Sequence, residues 1–204
     1  MFSYLKHSLD IEAEEARFPG DEPIDWSRDG KWILLGAGDL WITAAKPGAE
    51  PFRYLATQFV EGSARFSPDG KWIAYVSNES GRLEVYVRPF TGAPATAEGK
   101  IQISSSGGDY PVWNPRGGDL YFMSGDGIVH AIETRNLGRS EDPPRPVRLF
   151  RPCEGTGIRP LPLSGVNYNT PYDTNDGKRF LVHCAAEPPG RFTILLNWPF
   201  QSKP

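Results

Sequence analysis

The sequence predicts an all-β chain, a β-propeller of about four four-stranded antiparallel blades, and three observations carry that expectation. One phrase, an aromatic residue followed by a tight polar turn and an alternating apolar strand, occurs four times. It reads IDWSRDGKWILL at 24–35, ARFSPDGKWIAYVS at 64–77, PVWNPRGGDLYFMS at 111–124 and TPYDTNDGKRFLVH at 170–183. The 204 residues include 22 Gly and 20 Pro, too many for long uninterrupted helices. Six Trp, eight Tyr and eleven Phe supply the large flat side chains that fill the space between packed sheets.

The turn in the phrase has a physical basis. In Ser67-Pro68-Asp69-Gly70, Pro68 fixes φ near the value needed at the second turn position. Asp69 can accept backbone hydrogen bonds, and Gly70 can take a positive φ without a Cβ clash. The expected geometry is a three-residue hairpin, a type I turn followed by a left-handed glycine. The pairs Asp29-Gly30 and Asp176-Gly177 keep the chemistry, whereas Asn114-Pro115-Arg116-Gly117 puts Arg where the others have Asp. The fourth copy has one residue more between aromatic and turn, which predicts a different first strand. The aromatics Trp26, Phe66, Trp113 and Tyr172 are unequally spaced, as loop insertions in a repeat array would make them.

The second copy shows a whole unit, with strands expected at 63–66, 72–77, 83–89 and 100–104. Along 83–89, Leu83, Val85 and Val87 alternate with Glu84, Tyr86 and Arg88, giving one apolar and one mixed face. Unit one continues through 39–44 and 52–55. Unit three continues through 128–134 and 147–150, with a polar surface insert between 135 and 146. Unit four has strands at 179–184 and 192–197 and no fourth strand of its own. The single domain of 1–204 thus divides into units at about 22–56, 61–107, 109–151 and 168–198. Residues 2–9, FSYLKHSL, are expected to pair with 192–197 and complete the last blade, with 12–17 as a link. An isolated blade cannot bury both faces, so the units must stack. A closed four-blade ring, a homodimer completing a larger ring and a piece of a larger propeller all satisfy that need. A β-sandwich uses the same alternation, but the repeated phrase argues against it.

Twenty-two Lys and Arg stand against 25 Asp and Glu, and no basic cluster alternates with aromatics, so no nucleic-acid partner is expected. Met1 to Arg17 carries no apolar core of signal-peptide length, and no run of 18 apolar residues exists, so no membrane insertion is expected. Cys153 and Cys184 are not spaced as a metal or redox pair, and their pairing stays open. The stretch RPCEGTGIRPLPLSGVNY at 151–168 predicts a long connection that could cover one end of the ring.

The phrase SPDGKWIAYVSNESGRLEVYVRPF at 67–90 resembles the TolB-like family, WD-repeat-like propellers whose blades carry a Pro-Asp-Gly turn. The resemblance extends over most of the chain. GKRFLVH and FTILLNW, within 177–198, resemble the terminal blade of propellers at the C-terminus of bacterial receptor-type serine/threonine kinases. The resemblance implies a ring used for protein or ligand contacts, often periplasmic or extracytoplasmic, with signalling as one setting. Arg116, the missing proline of the fourth turn and the small number of units depart from the family pattern.

No cofactor, metal or catalytic residue is expected. There is no Gly-x-Ser-x-Gly elbow. Of the histidines His7, His130 and His183, the second reads as a half-exposed strand residue and the third as a core-edge residue. Adjacent His183 and Cys184 point to opposite faces of one strand and cannot pair as base and nucleophile. Asp29, Asp69 and Asp176 are explained by turn geometry. Glu22, Glu61, Asp109 and Asn169 lie just ahead of the first strands, on the rim where inter-blade loops converge, and are the candidate contact residues. The expected function is a non-catalytic scaffold binding a protein or small polar ligand, as the sensor part of a signalling protein. The alternatives are an accessory propeller gating a hydrolase or peptidase, and a small hydrolase or lyase using two rim carboxylates.

Overall fold

The computed structural model describes residues 22–36, 38–139, 145–152, 170–183 and, as backbone, 192–195. These form four antiparallel meanders. Blade 1 contains β1 (Glu22–Trp26), β2 (Trp32–Gly36), β3 (Leu40–Ala44) and β4 (Phe52–Leu55). Blade 2 contains β5 (Glu61–Phe66), β6 (Trp72–Ser77), β7 (Glu84–Pro89) and β8 (Ile101–Gln102). Blade 3 contains β9 (Gly108–Trp113), β10 (Asp119–Ser124), β11 (Val129–Glu133) and β12 (Val147–Phe150). The described part of blade 4 contains β13 (Tyr172–Thr174), β14 (Phe180–His183) and β15 (Phe192–Leu195). Among the described residues no helix is long and apolar enough to cross a membrane. The expected closing strand at 2–9, both cysteines, Asn169 and most of 151–168 lie outside the described residues.

Period-two alternation makes the blades stack. On β6, Ile73 and Tyr75 face blade 1 and join Leu34, Ile42, Tyr54 and Phe66. The intervening Ala74 and Val76 face blade 3 and join Trp113, Leu120 and Phe122. Strand β10 repeats the arrangement, with Tyr121 and Met123 turned to blade 4 against Tyr172, Phe180 and Val182. Burying one such large apolar side chain stabilises by about 1.5–3 kcal/mol. A lone blade would leave half of that on the wet side, so each sheet is stable only between neighbours. The first strands β1, β5 and β9 lie side by side and line the axis.

Three details go beyond the sequence reading. The mixed face of β7 is buried, with Tyr86 packed against blade 1. There Arg88 Nε donates to Tyr75 Oη at 3.0 Å, Tyr75 and Tyr86 stack with centroids 5.7 Å apart, and Arg88 Nη1 also donates to the Thr96 carbonyl. The hairpins close over four residues instead of three. Ser67 N donates to the Trp72 carbonyl at 2.8 Å and Gly70 N, at φ +69°, to the Ser67 carbonyl at 2.9 Å. Ser67 Oγ donates to Asp69 Oδ1 at 2.6 Å and accepts from Trp72 N at 2.9 Å. That hydroxyl takes an N–H the tighter loop would have given to a carbonyl. Blade 1 repeats the same bonds at Ser27, Asp29 and Trp32.

The third detail concerns the fourth copy, with its extra residue between aromatic and turn. Trp26, Phe66 and Trp113 end their strands opposite Ile33, Ile73 and Leu120, whereas Tyr172 begins β13 opposite Val182 and Thr174 stands opposite Phe180. A one-residue slip turns every side chain to the other face. Tyr172 therefore enters the core between blades 3 and 4 and donates to the Tyr110 carbonyl at 2.8 Å. Asp173 takes the opposite face and points away from that core.

Candidate functional site

A cleft of about 800 Å³ opens at the end of the axis where the first-strand hairpins turn. The residues before the first three repeat aromatics, Asp25, Arg65 and Val112, supply its floor together with Tyr172 itself. Its walls come from the turns, through Arg28, Pro68 and Pro115, and from the outward face of blade 4, through Asp173, Leu181 and His183.

The charged floor is fixed by bonds between blades. Arg65 Nη1 donates to the Ile24 carbonyl at 2.7 Å and to its neighbour Ala64 at 2.9 Å, and Nη2 donates to Thr170 Oγ1 at 3.2 Å. One guanidinium thus spans blade 2, blade 1 and the approach to blade 4. Asp25 Oδ2 accepts from Phe66 N at 2.7 Å. Burial pushes the Asp25 carboxyl up, against the lowering influence of that amide and of the Arg65 charge. Trp113 Nε1 donates to the Arg65 carbonyl at 3.1 Å, tying in blade 3.

Two large apolar side chains stay wet here. Trp26 is 42% exposed and Leu181 is 48% exposed. The repeat partners of Trp26, Phe66 and Trp113, are buried between blades. Val112, Pro68, Pro115 and Pro171 extend the apolar lining, so the cleft combines a carbon-rich wall with a few fixed polar groups, the usual make-up of a binding site.

The rim residues expected from sequence lie at the other end of the first strands, and the cleft is not lined by them. Glu22 opens β1 and is exposed. Glu61 opens β5 at 1% exposure, with its Oε1 accepting from Thr57 Oγ1 at 2.5 Å. Asp109 is the second residue of β9, also 1% exposed. Its Oδ1 accepts from Tyr110 N at 2.6 Å, and Ser63 supports the carboxylate from blade 2. Burial pushes the Asp109 carboxyl up to about 6, more than these bonds lower it. Glu61 Oε2, Asp109 Oδ2 and Tyr110 Oη are buried without a hydrogen-bond partner. Ser63 and Tyr110 occupy matching bulges of β5 and β9 at φ of 48° and 55°, a conformation that costs a non-glycine residue about 1–2 kcal/mol. Asn169, the fourth expected contact, lies outside the described residues.

His130 Nε2 lies 3.1 Å from Ser124 Oγ, which donates to Asp126 Oδ1 at 2.5 Å. A relay would need the carboxylate on the far ring nitrogen. Here it is on the serine, and His130 Nδ1 is buried without a partner. His130 instead stacks on Phe122 at 5.3 Å and closes the β10–β11 turn. His183 lies exposed on the outward face of β14, nearer the cleft than the core edge expected for it. Among the described residues no group of three or more His, Cys, Asp or Glu side chains could hold a metal ion.

Sequence inspection looked ahead of the first strands and passed over Asp25 and Arg65. A signal was present: each is a charge flanked directly by apolar residues near the strand end, Ile24-Asp25-Trp26 and Ala64-Arg65-Phe66. No such signal marks Leu181, which enters the cleft only through the arrangement of blades.

No family model matches the chain, and no curated protein matches its sequence. Solved structures do match in shape. TolB from Acinetobacter baumannii aligns with a TM-score of 0.56 and 16% identity, over 91% of this chain and 43% of that one. An oligogalacturonate lyase in complex with manganese aligns at 0.52 and 15%, over 83% and 46%. A protein assigned as TolB from Agrobacterium tumefaciens aligns at 0.50 and 19%, over 68% and 53%. The chain spans roughly half the length of each of these structures. At such identities the likeness is one of architecture, and the fold of this chain is a TolB-like β-propeller.

Proposed function

We propose that this chain is a non-catalytic scaffold that holds a partner protein in the cleft at the turn end of the axis. The observation that carries the reading is the pair Trp26 and Leu181, large apolar groups left half in water in the lining of one concave, polar-floored site. Burying them on association recovers hydrophobic free energy that folding leaves unused. The bonds that fix Arg65 and Asp25 mean that little further ordering of the floor is needed. The resemblance of 177–198 to kinase-borne propellers favours a sensor role within a signalling protein. Glu22, exposed at the opposite rim, and Asn169 stay candidates for a second contact, while buried Glu61 and Asp109 shape that rim.

A small hydrolase or lyase is the second reading, since a lyase shares the architecture. Direct carboxylate chemistry has less support. It needs two carboxyl groups about 5–10 Å apart across a substrate cleft, and Glu61 and Asp109 sit buried within strands, outside the cleft lining.

Panning a displayed random-peptide library against the chain tests the reading. Peptides should be enriched on the wild type, and Trp26→Ala should cost them about tenfold or more in affinity, the usual scale for an aromatic contact centre. Enriched peptides that bind Trp26→Ala and Leu181→Ser as tightly as wild type would overturn it.

A further inference from the structure

A second cavity of about 270 Å³ adjoins the cleft and shares with it Arg28, Ser67, Pro68, Trp113 and Pro115. Its own wall is completed by Trp72, Arg116 and the turn glycines of blade 3. In blades 1 and 2 this turn position holds Asp29 and Asp69. Each accepts hydrogen bonds from its serine and from the following lysine amide, and each pairs with that lysine. Blade 3 has Arg116 instead. Asn114 takes over the local work, with Oδ1 accepting from Arg116 N at 3.1 Å and Nδ2 donating to Asp119 Oδ2 at 3.2 Å. The Arg116 side chain is therefore released from the turn and is exposed.

Arg28 approaches the same place from blade 1. Its Nη1 donates to the Pro115 carbonyl, next to Arg116 in sequence. This holds one guanidinium beside the turn that carries another. Like charges brought together raise the energy of the empty site, the more so against low-dielectric walls such as Trp72 and Trp113. Among the described residues neither arginine forms an ion pair, and the one carboxylate in the wall, Asp69, is already bound to Ser67 and Lys71. The two arginines are thus cations without a counter-charge on the wall of a cavity.

We infer that this cavity is an anion subsite in which Arg28 and Arg116 hold the carboxylate of an acidic side chain, next to the apolar residue that the partner seats between Trp26 and Leu181. The inference rests on the binding reading above and names the chemistry of its partner. A guanidinium fork fits a carboxylate with two parallel hydrogen bonds, and the indole walls exclude the water that would weaken them.

The test uses the peptides selected on the wild-type chain, synthesised with a fluorophore and titrated by anisotropy. Arg116→Asp restores the residue of the other turns and leaves the fold intact. Selected peptides should carry Asp or Glu close to their apolar anchor and should bind at least about tenfold more weakly to Arg116→Asp and to Arg28→Ala. Raising salt from about 0.05 to 0.5 M should weaken them on the wild type far more than on Arg116→Asp. Trp26-dependent peptides without acidic enrichment, or with unchanged affinity for Arg116→Asp, would overturn the subsite while the binding reading stands. If no selected peptide depends on Trp26, the binding reading falls and the subsite falls with it.

Discussion

Replacing Asp109 by asparagine removes a single ionisable group from the junction of blades 2, 3 and 4 and keeps its shape. The carboxyl is buried, one oxygen has no partner, and its folded value of about 6 stands above the ordinary 3.8. At about 1.36 kcal/mol per pH unit, that gap means ionised Asp109 destabilises the folded chain by about 3 kcal/mol. The sign follows from proton binding. Between about pH 4 and 6 the folded state holds a proton the unfolded state has released, so stability falls as pH rises through this window. Above it the penalty is constant, and below it the penalty vanishes. Neutral aspartic acid and asparagine each leave one donor group near the same orphaned position, so those costs nearly cancel. Asp109→Asn should therefore match wild type near pH 4 and exceed it by about 3 kcal/mol at pH 7.5, or roughly 6–10 °C in Tm for a chain of this size. Asp29, Asp126 and Asp176 are held below the usual range by hydrogen bonds, chiefly from Ser27, Ser124 and the Lys178 amide. Their contributions run the other way and are common to both proteins, so they drop out of the difference. Urea denaturation of both proteins from pH 4 to 8 reads the result directly. Stability curves that stay parallel across that range would refute the reasoning, because they would mean Asp109 titrates in the folded chain as it does in water.

Other perturbations test other joints. Gly108→Ala would put a Cβ 2.3 Å from Ser104 Oγ, which cannot turn away without abandoning its bonds to Val85 N and Glu84; a loss above about 3 kcal/mol in urea denaturation is expected. Gly70→Ala meets nothing within 4 Å but keeps φ +69°, so its cost should be only about 1 kcal/mol. Tyr172→Phe removes the bond to the Tyr110 carbonyl and should cost about 1 kcal/mol by the same measurement. Arg65→Met removes three hydrogen bonds, two of them out of its own strand, and leaves Asp25 without its cation, for about 2–4 kcal/mol. Adding Asp25→Asn should restore about 1 kcal/mol or more of that loss in a double-mutant cycle.

Much of the fold could be read from local chemistry. Trp72–Ser77, Phe52–Leu55 and Val147–Phe150 were expected and observed with the same bounds, since β-branched and aromatic runs between turn residues have few other options. The Ser-Pro-Asp-Gly turn was legible for the same reason, although the serine hydroxyl that lengthens its loop was not. Burial of Glu84, Arg88 and Asp109 could not be read, because each is enclosed by residues that only the folded chain brings to it: Ser104 and Gly107, Tyr75 and Thr96, and Ser63. The slip that turns Tyr172 inward was anticipated as a difference in the first strand, but its direction depends on the cavity between blades 3 and 4. The cleft was missed because its lining comes from all four blades, one or a few residues at a time.

Departures from the repeat gather at one place in the molecule. Trp26 is the repeat aromatic left in water, Asp173 is the residue exposed by the slip, and Arg116 is the turn position where the aspartate is lost. All three lie around the two cavities at the turn end of the axis. A repeat kept only for stacking gains by keeping each of these positions regular: the aromatic buried, the turn aspartate bonded, the register in step. Each departure gives up an arrangement that the regular copies retain. Local rules broken together in space are what a binding surface built into a scaffold looks like. The opposite end of the axis follows another logic. Its irregular groups, Glu61, Asp109 and Tyr110, are buried, where a change of charge acts on the stability and shape of the ring.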